Sequence, residues 1–542
     1  MATLTHSPTE APAAPMEAMA AAPQAGAFDA TAGRRIARIF LPSISDCFFI
    51  ALIAWLFIWG ASGWISLLGD GDTGWHIRTG QYLLEHHSVP TQDLFSFSRP
   101  GAPWFAWEWL TDVIYAVCFQ IAGLKAIVLL AAVMIALFAT VVLRYTLWRG
   151  ANALVAAFTT LLAVGASSMH FLARPHLFTL LLLPICLWVV EADRRAKTCW
   201  LWALIPVTAL WTNLHGGFVI FLVCLGLLVL AYAIKAALGP KAGPGEACWP
   251  AIRRYGALLV GCSLASLVNP YGIQLHIHIY EYLRADWIKN IVQEFQAPTF
   301  RNEGQLQYEA LLLAGLVAIG FLLRRRLFAE SLWILFLAHS SLMSVRHAPL
   351  YATVAAPLVA CEISEWWRTG VAGMKKSSAL RILHQLGADL EPGFRRTSIW
   401  PALFILLLAT LGAPLNWPRD FPSQMFPTAM VHQHAGLIAS GRLLTPDQWG
   451  DYIIYSFYPR QKVYVDGRSD FYGEKLGQEY IHLMQGAYDW RAIMNRNGFD
   501  VALLPVDWPL ASMLKLEPSW RVVQDDTKVI LFQRLRRQTT GN

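Results

Sequence analysis

Long apolar runs recur over the first 415 residues, and polar positions are gathered between them. Runs such as 47–68 and 216–234 have the length of about 20 residues that a helix needs to cross a bilayer. They lack the alternation of a barrel strand, and only helices and closed barrels satisfy their backbone hydrogen bonds in lipid. The pattern therefore predicts an α-helical polytopic membrane protein.

Eleven spanning helices are expected from hydropathy. They cover roughly residues 47–68, 124–143, 151–168, 176–191, 199–212, 217–235, 256–269, 307–323, 328–343, 348–364 and 398–415.

Segment 107–122 is also apolar, but it contains Glu108 and Asp112. If it does not span, the later loops on one side hold eighteen Lys and Arg, and those on the other side hold five, namely Arg174, Arg284, Lys289, Arg301 and Arg346. The positive-inside rule then makes the segment a juxtamembrane or re-entrant helix at the outer face. The N-terminus is expected on the cytoplasmic side of the membrane and the C-terminus outside.

Three regions differ in composition. Residues 1–40 are rich in Ala, Pro and Thr, which predicts a disordered cytoplasmic tail. Residues 41–416 are the transmembrane domain, with a first outer loop over 69–123. Residues 417–542 mix polar and apolar positions and predict an extracytoplasmic α/β domain. Its expected strands are Val463–Val465, Val501–Leu504, Arg521–Val523 and Val529–Phe532.

The net charge of +7 does not indicate nucleic-acid binding, because the basic residues lie in short loops between apolar runs. Most of the eight cysteines lie inside those runs, where they behave as small buried side chains and not as disulfide or zinc ligands.

Titratable residues are concentrated at the expected outer ends of the helices, and charged groups at membrane depth indicate a functional site. Asp70 and Asp72 lie among glycines, which let a metal or a hydroxyl approach closely, and either carboxylate could act as a base. Glu108 and Asp112 fall on one helical face. Later outer turns carry His170, Arg174, His176, Asn213, His215, Arg346 and His347.

Each signal also has a structural explanation. Asp70 or Asp72 could cap the following helix, and a single histidine at an interface is more often structural. Arg174 could extend toward headgroups, and Trp104, Trp107 and Trp109 fit an interfacial aromatic belt.

The first outer loop, with Asp72-Thr-Gly-Trp-His-Ile-Arg, Val89-Pro90 and Glu108-Trp109-Leu110, resembles that of GT-C membrane glycosyltransferases. The likeness is to bacterial proteins of the family 39-like and RgtA/B/C/D-like types, which implies that the protein lies in a bacterial inner membrane. Trp449-Gly-Asp-Tyr452 and Asp466-Gly-Arg468 are similar to C-terminal stretches of such proteins, although the Asp466 motif also fits a strand-ending turn. Proteins of the family 39 type usually carry an Asp-Glu pair in this loop, and this sequence has Asp70-Gly-Asp72 in its place.

The resemblance implies transfer of a sugar from a polyprenyl-phosphate donor to an extracytoplasmic lipid, glycan or protein. It implies Asp72 as base, with Asp70 as helper, or the two as ligands of a possible divalent metal (Mg or Mn). The donor phosphate would be held by Arg174, His170, His176, His215, Arg346 and His347. The acceptor side would be formed by His76, Arg78, Glu108, Asp112 and Asn213.

Three alternatives remain at this point. A protein of the same fold could bind lipid-linked glycans without turnover. A metal-dependent hydrolase is less favoured, because no His-x-x-His or His-Glu-x-x-His spacing occurs. A transporter would be expected to show matching interrupted helices in two halves, and none is found.

Overall fold

The computed structural model describes residues 39–59, 63–239, 248–301, 303–411 and 417–535. Most of the tail expected over residues 1–40 lies outside them. Over the first 411 residues the described chain is helical, and five of its helices are long and apolar enough to cross a membrane. Five shorter apolar helices accompany them. The chain is therefore a multi-pass helical membrane protein, as the sequence predicted.

The helices of this region follow the expected runs in order. They are α1 Ile44–Ala54, continued by a π-helical turn Trp55–Trp59, then a short helix Trp64–Leu67, α2 Asp72–His86, α3 Trp109–Ala122, α4 Leu124–Arg149, α5 Ala153–Ser167, α6 His176–Arg195, a 3₁₀ turn Cys199–Ala203, α7 Leu204–Leu214, α8 Phe218–Ala237 and α9 Cys248–Ala265. After them come α10 Ile273–Arg284, a short helix Asp286–Ile291, α11 Glu303–Arg324, α12 Phe328–Met343, α13 Ala348–Val371, α14 Ala379–Phe394 and α15 Trp400–Thr410.

Local signals set several helix ends. The Ser43 hydroxyl accepts the N–H of Asp46, and the Asp46 carboxylate accepts the N–H of Ser43, so a capping box starts α1. Asn152 caps α5. Gly150 ends α4 with φ of 108°, a conformation that glycine adopts without strain.

The α2 and α3 helices form a close pair before the long helix α4. A Cβ at Gly80 of α2 would overlap the backbone carbonyl of Asp112 in α3, so only glycine permits this approach. The Thr111 hydroxyl donates to the carbonyl of Leu214 at 2.7 Å, which fastens α3 to the end of α7. The apolar segment with Glu108 and Asp112 is thus a 14-residue helix held beside α2.

The C-terminal region is a small α/β domain, as expected. Its elements are the short helices Thr428–Gln433 and Ala435–Ile438, then β1 Leu443–Leu444, α16 Asp447–Phe457, α17 Ser469–Gln485, α18 Trp490–Asn497, β2 Val501–Pro505, α19 Pro509–Leu516, β3 Trp520–Asp525 and β4 Val529–Arg534. The sheet order is β1-β2-β4-β3, with β1 parallel to β2 and the other pairs antiparallel.

The expected strand at Val463–Val465 is not a regular strand. Val463 forms single bridges to Ser96 and to Leu443 instead. Its N–H donates to the Phe95 carbonyl at 2.9 Å, and its carbonyl accepts the N–H of Phe97 at 2.9 Å. The segment therefore joins the C-terminal domain to the first outer loop, which sequence alone did not indicate.

The bundle has two ends, and its threading can be tested by cysteine labelling. Arg395 is exposed next to the start of α1, whereas Tyr488 is 94% exposed in the C-terminal domain. In a background without the native cysteines, a membrane-impermeant maleimide should label Tyr488→Cys from the outside of sealed vesicles. It should label Arg395→Cys only after the membrane is opened. Labelling of both from one side would contradict the threading.

Candidate active site

A cavity of about 170 Å³ lies where the helix ends meet the C-terminal domain. Asp72, Arg174, His215 and Arg346 come from four distant segments, and all four line it. The other expected site residues in its wall are His76, Glu108, His170, His176 and His347. The sequence therefore correctly predicted that these segments converge.

Arg174 is the centre of the acidic side of the cavity. Its Nη1 lies 2.9 Å from Asp70 Oδ2 and 2.8 Å from Glu294 Oε1, and its Nη2 lies 2.8 Å from Asp72 Oδ2. Charge-assisted pairs of this kind are strong when they are shielded from water. Three carboxylates thus meet the one guanidinium, so Arg174 organises the cavity wall.

The carboxylates of Asp70 and Asp72 have different surroundings. Asp70 Oδ1 accepts the N–H of Asp72, the first residue of α2, at 2.9 Å, and Gly71 is the N-cap residue, so neither aspartate is itself at the capping position. Asp72 is 5% exposed and faces the cavity. Burial, opposed by Arg174 and reinforced by Asp70, raises the pKa of Asp72 to about 7. Asp72 can therefore exchange a proton near neutral pH.

Glu294 was not identified from the sequence. It follows the short helix Asp286–Ile291, and the Ser344 hydroxyl donates to its backbone carbonyl at 2.9 Å. Burial acts to raise the pKa of Glu294, but Arg174 and Arg346 outweigh it and hold that pKa below its ordinary value. Glu294 is therefore ionised and supplies a fixed negative charge beside Arg174.

Arg346 differs from Arg174 in its partners. Its Nη1 donates to the Tyr282 hydroxyl at 3.3 Å, and its guanidinium lies 5.1 Å from the centre of the Phe295 ring. Among the described residues no carboxylate lies within 4.0 Å of it. The aromatic rings thus hold the guanidinium in the cavity wall with its charge available to a ligand.

The remaining histidines are fixed by backbone groups to different degrees. His176 Nε2 donates to the His170 carbonyl at 2.6 Å, and His347 Nδ1 donates to the Ser340 carbonyl at 3.1 Å. His170 is 6% exposed, and neither of its ring nitrogens has a partner among the described residues. A buried imidazole without partners is costly, which makes His170 available to a ligand.

Glu108 lies between two imidazoles. His76 Nε2 is 3.7 Å from its Oε2, and His215 Nε2 is 3.5 Å from its Oε1. Burial, opposed by Arg174 and Arg346, raises the pKa of Glu108 to about 8. Asp112 stands behind His76, with its Oδ1 2.6 Å from Nδ1.

Three expected acceptor-side residues do not line the cavity. Arg78 donates through Nε to the Tyr455 carbonyl at 2.8 Å, so it binds the C-terminal domain. Asn213 accepts from Trp109 Nε1 and donates to the carbonyls of Ala209 and Val268, so its polar atoms are used up in helix packing. Asp112 reaches the cavity only through His76.

The C-terminal domain supplies Gly467, Arg468 and Asp470 to the cavity wall. Arg468 pairs with Asp466 at 2.6 Å and with Asp93 of the first outer loop at 2.8 Å. The Asp466-Gly-Arg468 motif is therefore part of the site and not only a turn.

Asp451 lies behind this motif and was noted in the sequence only as part of a resemblance. Its Oδ1 accepts the N–H of Gly467 at 3.0 Å. A Cβ at Gly467 would overlap Asp72 Oδ1 and lie 2.9 Å from Asp451 Oδ2. The missing side chain of Gly467 thus lets the C-terminal domain reach Asp72.

Asp70 and Asp72 are poorly arranged to bind the divalent metal that the resemblance allowed. The Arg174 guanidinium bridges the two carboxylates, in the position that a cation held by both would need. Over the described parts of the chain, no group of three or more His, Cys, Asp or Glu side chains is arranged to hold a metal ion.

Comparison with proteins of known structure identifies the fold. No family model matches the chain, and no curated protein matches it. Among solved structures, the oligosaccharyltransferase AglB of Archaeoglobus fulgidus, in complex with an inhibitory peptide and a dolichol-phosphate, is 12% identical with a TM-score of 0.52. The match covers 86% of this chain and 69% of AglB.

The same enzyme tethered to an acceptor peptide containing the NVT sequon matches with 12% identity and a TM-score of 0.51, over 91% of this chain and 74% of that one. ArnT of Cupriavidus metallidurans bound to undecaprenyl phosphate has 14% identity and a TM-score of 0.45, over 89% of this chain and 97% of ArnT. The AglB matches show that the chain has the fold of GT-C membrane glycosyltransferases, as the resemblance predicted.

The contact at Gly467 can be tested by substitution. Gly467→Ala should lower the free energy of unfolding by about 1–3 kcal/mol, because the new methyl group displaces Asp72 or Asp451. Gly436→Ala is the matched control, since a Cβ there meets nothing within 4 Å. Denaturant titration of the two purified variants measures the difference. Equal stability of both would contradict the close approach of the C-terminal domain to Asp72.

Proposed function

We propose that this protein is a membrane glycosyltransferase that moves a sugar from a polyprenyl-phosphate donor to an extracytoplasmic acceptor. The observation that carries the proposal is the two-sided lining of one cavity. Its polar side holds Asp72, Glu108, Arg174 and Arg346, and its apolar side is formed by Leu180, Val219, Ile220, Ile279, Leu283, Pro349 and Leu350. A donor with a charged phosphate and an apolar chain matches both sides.

The apolar residues support a lipid ligand because of where they lie. Leu180 belongs to α6, Val219 and Ile220 to α8, and Leu350 to α13. These helices are expected to span the membrane, so a prenyl chain could pass from lipid into the cavity along them. A water-soluble nucleotide sugar has no long apolar chain to match such a wall.

Arg346 is the first candidate for the donor phosphate. Arg174 is already shared by three carboxylates, whereas the contacts of Arg346 with other described residues are to a hydroxyl and to aromatic rings. A phosphate also has acceptor oxygens for His170, whose ring nitrogens have no hydrogen-bond partner in the part of the chain that the structure describes. The other expected phosphate contacts, His176, His215 and His347, line the same cavity.

Asp72 is our proposed general base. Transfer requires that the acceptor hydroxyl lose its proton as its oxygen attacks the anomeric carbon, while the bond from that carbon to the phosphate oxygen breaks. A carboxylate whose pKa is near 7 accepts such a proton more readily than an ordinary aspartate. Its salt bridge from Arg174 fixes Oδ2, and Oδ1 faces Gly467 and accepts a long hydrogen bond from Trp75 Nε1 at 3.3 Å.

The acceptor would approach from the C-terminal domain. Arg468 Nη1 is buried and has no hydrogen-bond partner among the residues that the structure describes, and Arg468 and Asp470 line the same cavity as Asp72. The AglB structures that share this fold hold a dolichol-phosphate or an acceptor peptide. We place the reaction on the periplasmic side of a bacterial inner membrane, because the basic residues concentrate at the opposite helix ends.

Mass spectrometry of lipids that copurify with the protein tests the substrate class. A polyprenyl-phosphate sugar is expected, and its transfer to added acceptors should follow in reconstituted vesicles. Binding of such a lipid with no turnover would favour the alternative of a non-catalytic GT-C-like binder. Recovery of no prenyl phosphate at all would contradict both.

Asp72→Asn should lower turnover by about 10²- to 10⁴-fold, the usual contribution of a general base. Asp70→Asn is its matched control, because Asp70 binds the same arginine but does not line the cavity. Initial rates at saturating donor, with melting curves of both variants, provide the measurement. Our assignment would be wrong if Asp70→Asn were the inactive variant and Asp72→Asn the active one.

Arg346→Ala should raise the KM for the donor by about 10- to 100-fold, since a charge-assisted hydrogen bond contributes about 1.5–3 kcal/mol. Arg346→Lys should restore part of the loss, because a lysine keeps the charge without the planar fork. Arg284→Ala is the control, as Arg284 is exposed and its Nη1 donates to the Tyr280 hydroxyl outside the cavity. An unchanged KM in Arg346→Ala would contradict its role in binding phosphate.

A further inference from the structure

Helix α14, Ala379–Phe394, lies at the end of the bundle opposite the cavity. It comes after α13, which starts directly behind the cavity residue His347 and ends at Val371. The 24 residues of α13 extend for about 36 Å, enough to carry the chain across a bilayer. The chain therefore reaches the far membrane surface before α14 begins, and α15 returns from there.

Two hydrogen bonds define the direction of α14. Asn152, which caps the start of α5, donates through Nδ2 to the carbonyl of His384 at 2.9 Å. Ser45, at the start of α1, donates through Oγ to the carbonyl of Phe394 at 2.6 Å. Both α1 and α5 start at this end of the bundle and lead toward the cavity. Because α14 connects two helix starts at one level, it runs along the membrane surface and not across the bilayer.

One flank of α14 is packed against the bundle. A Cβ at Gly387 would overlap Asn152 Oδ1, so only glycine permits this approach. Phe394 is 7% exposed and belongs to an apolar cluster with residues of α4 and α5, and the half-buried Leu390 packs against the same cluster. Protein contacts therefore fix the position and the rotation of the helix.

A second flank is apolar but uncovered. Ile382, Leu383 and Leu386 are 54%, 44% and 44% exposed, and we call these three residues the apolar stripe. At about 100° per residue they share one side of the helix, next to the side that Leu390 buries. Three large apolar side chains left together on one helix indicate contact with an apolar phase or with a partner.

The third flank is polar and faces away from the bundle. It carries Arg381, Gln385 and Asp389, and Gln385 Nε2 donates to Asp389 Oδ1 at 2.8 Å. With this flank α14 is not among the apolar helices of the described chain. A helix with one side for protein, one for acyl chains and one for water fits the boundary between lipid and water.

Basic side chains surround this helix. They are Lys375 and Lys376 before it, Arg381 in its first turn, and Arg395 and Arg396 after it. Of these five, only Arg395 has a carboxylate within 4.0 Å in the described parts of the chain, that of Glu391. The other four cations are thus available to anions at the membrane surface, and the headgroups of anionic phospholipids are such anions.

Exposed tryptophans mark the level of the membrane surface at both ends of α14. Trp366, near the end of α13, is 74% exposed, and Trp400, the first residue of α15, is 44% exposed. Tryptophan is enriched where a membrane protein crosses the lipid–water boundary. Since α14 connects these two helix ends, its apolar stripe is continuous with the lipid-facing surface of the bundle.

We propose that α14 is an interfacial helix that binds anionic phospholipids in the leaflet on the far side from the cavity. The apolar stripe enters the acyl region, and Lys375, Lys376 and Arg381 bind headgroup phosphates. A second copy of the chain or a soluble protein is a less suitable occupant, because the stripe lies at the level of the lipid and is bordered by unpaired cations. This role is independent of the proposed sugar transfer.

The depth of the helix can be measured with two neighbouring residues on different flanks. Leu386→Cys and Gln385→Cys, each in a background without the native cysteines, are labelled with the fluorophore NBD. The full chain is placed in nanodiscs of equal phosphatidylglycerol and phosphatidylcholine. NBD at Leu386→Cys should be reduced by dithionite severalfold more slowly than at the control Gln385→Cys, and it should be quenched more strongly by lipids with a nitroxide on the acyl chain.

The lipid preference can be measured without any cysteine. Native mass spectrometry of the wild type taken from the same bilayers should show phosphatidylglycerol retained in preference to phosphatidylcholine. Changing Lys375, Lys376 and Arg381 together to Ala should lower that preference by about two- to fivefold, since each basic residue contributes about fivefold at an anionic surface. The matched control changes Arg460, Lys462 and Lys475, which are exposed in the C-terminal domain, to Ala and should leave the preference unchanged.

Three results would overturn the proposal. Equal reduction of NBD at the two positions would show that the apolar stripe lies in water. Protection from dithionite at Leu386→Cys without quenching by the lipid nitroxides would show that a protein surface covers the stripe. Equal retention of phosphatidylglycerol by the two triple variants would show that the basic residues around α14 do not select anionic lipid.

Discussion

The site depends on one partly buried arginine. Arg174 follows the 3₁₀ turn Ser168–His170 and reaches Asp70 and Asp72 from the first outer loop and Glu294 from a loop more than a hundred residues later. An unpaired charge in such a place would cost several kcal/mol, so the three segments hold one another in position. Removing any partner leaves the others uncompensated. The cavity is shaped around this cluster, and Asp72 and Glu108 face it with pKa values raised by the same burial.

The bilayer imposes the second constraint. Helices that cross lipid must be apolar, so chemistry is restricted to their ends and to the loops and domain that cover them. The C-terminal domain lies on the first outer loop through Val463 and enters the cavity through Gly467 and Arg468. It thereby excludes water from one side of a site whose other side is open to apolar helix surfaces. A charged headgroup and an apolar chain are both accommodated only at such a boundary.

Much of this could be predicted from sequence, because hydropathy and the positive-inside rule act locally. The helix order, the α/β domain and the convergence of Asp72, Arg174, His215 and Arg346 follow from it. Pairings between distant segments cannot be predicted from these local rules. Nothing in the sequence near Glu294 indicates that it pairs with Arg174. The side chains of Asn213 and Arg78 donate hydrogen bonds to backbone carbonyls and do not line the cavity. Val463 pairs with the first outer loop, so its β-like composition predicted a strand that tertiary contacts replaced.

Asp72 and Glu108 line the same small cavity but have different neighbours. Arg174 binds one oxygen of Asp72 directly, which favours its ionised form and partly cancels the effect of burial. No guanidinium lies within 4.0 Å of Glu108 in the described structure, and the imidazoles of His76 and His215 lie 3.7 and 3.5 Å from its two oxygens. Burial raises the pKa of both carboxyls, to about 7 for Asp72 and about 8 for Glu108. The same desolvation that shields the Arg174 cluster therefore brings both side chains into the pH range in which a carboxyl can exchange a proton with a substrate.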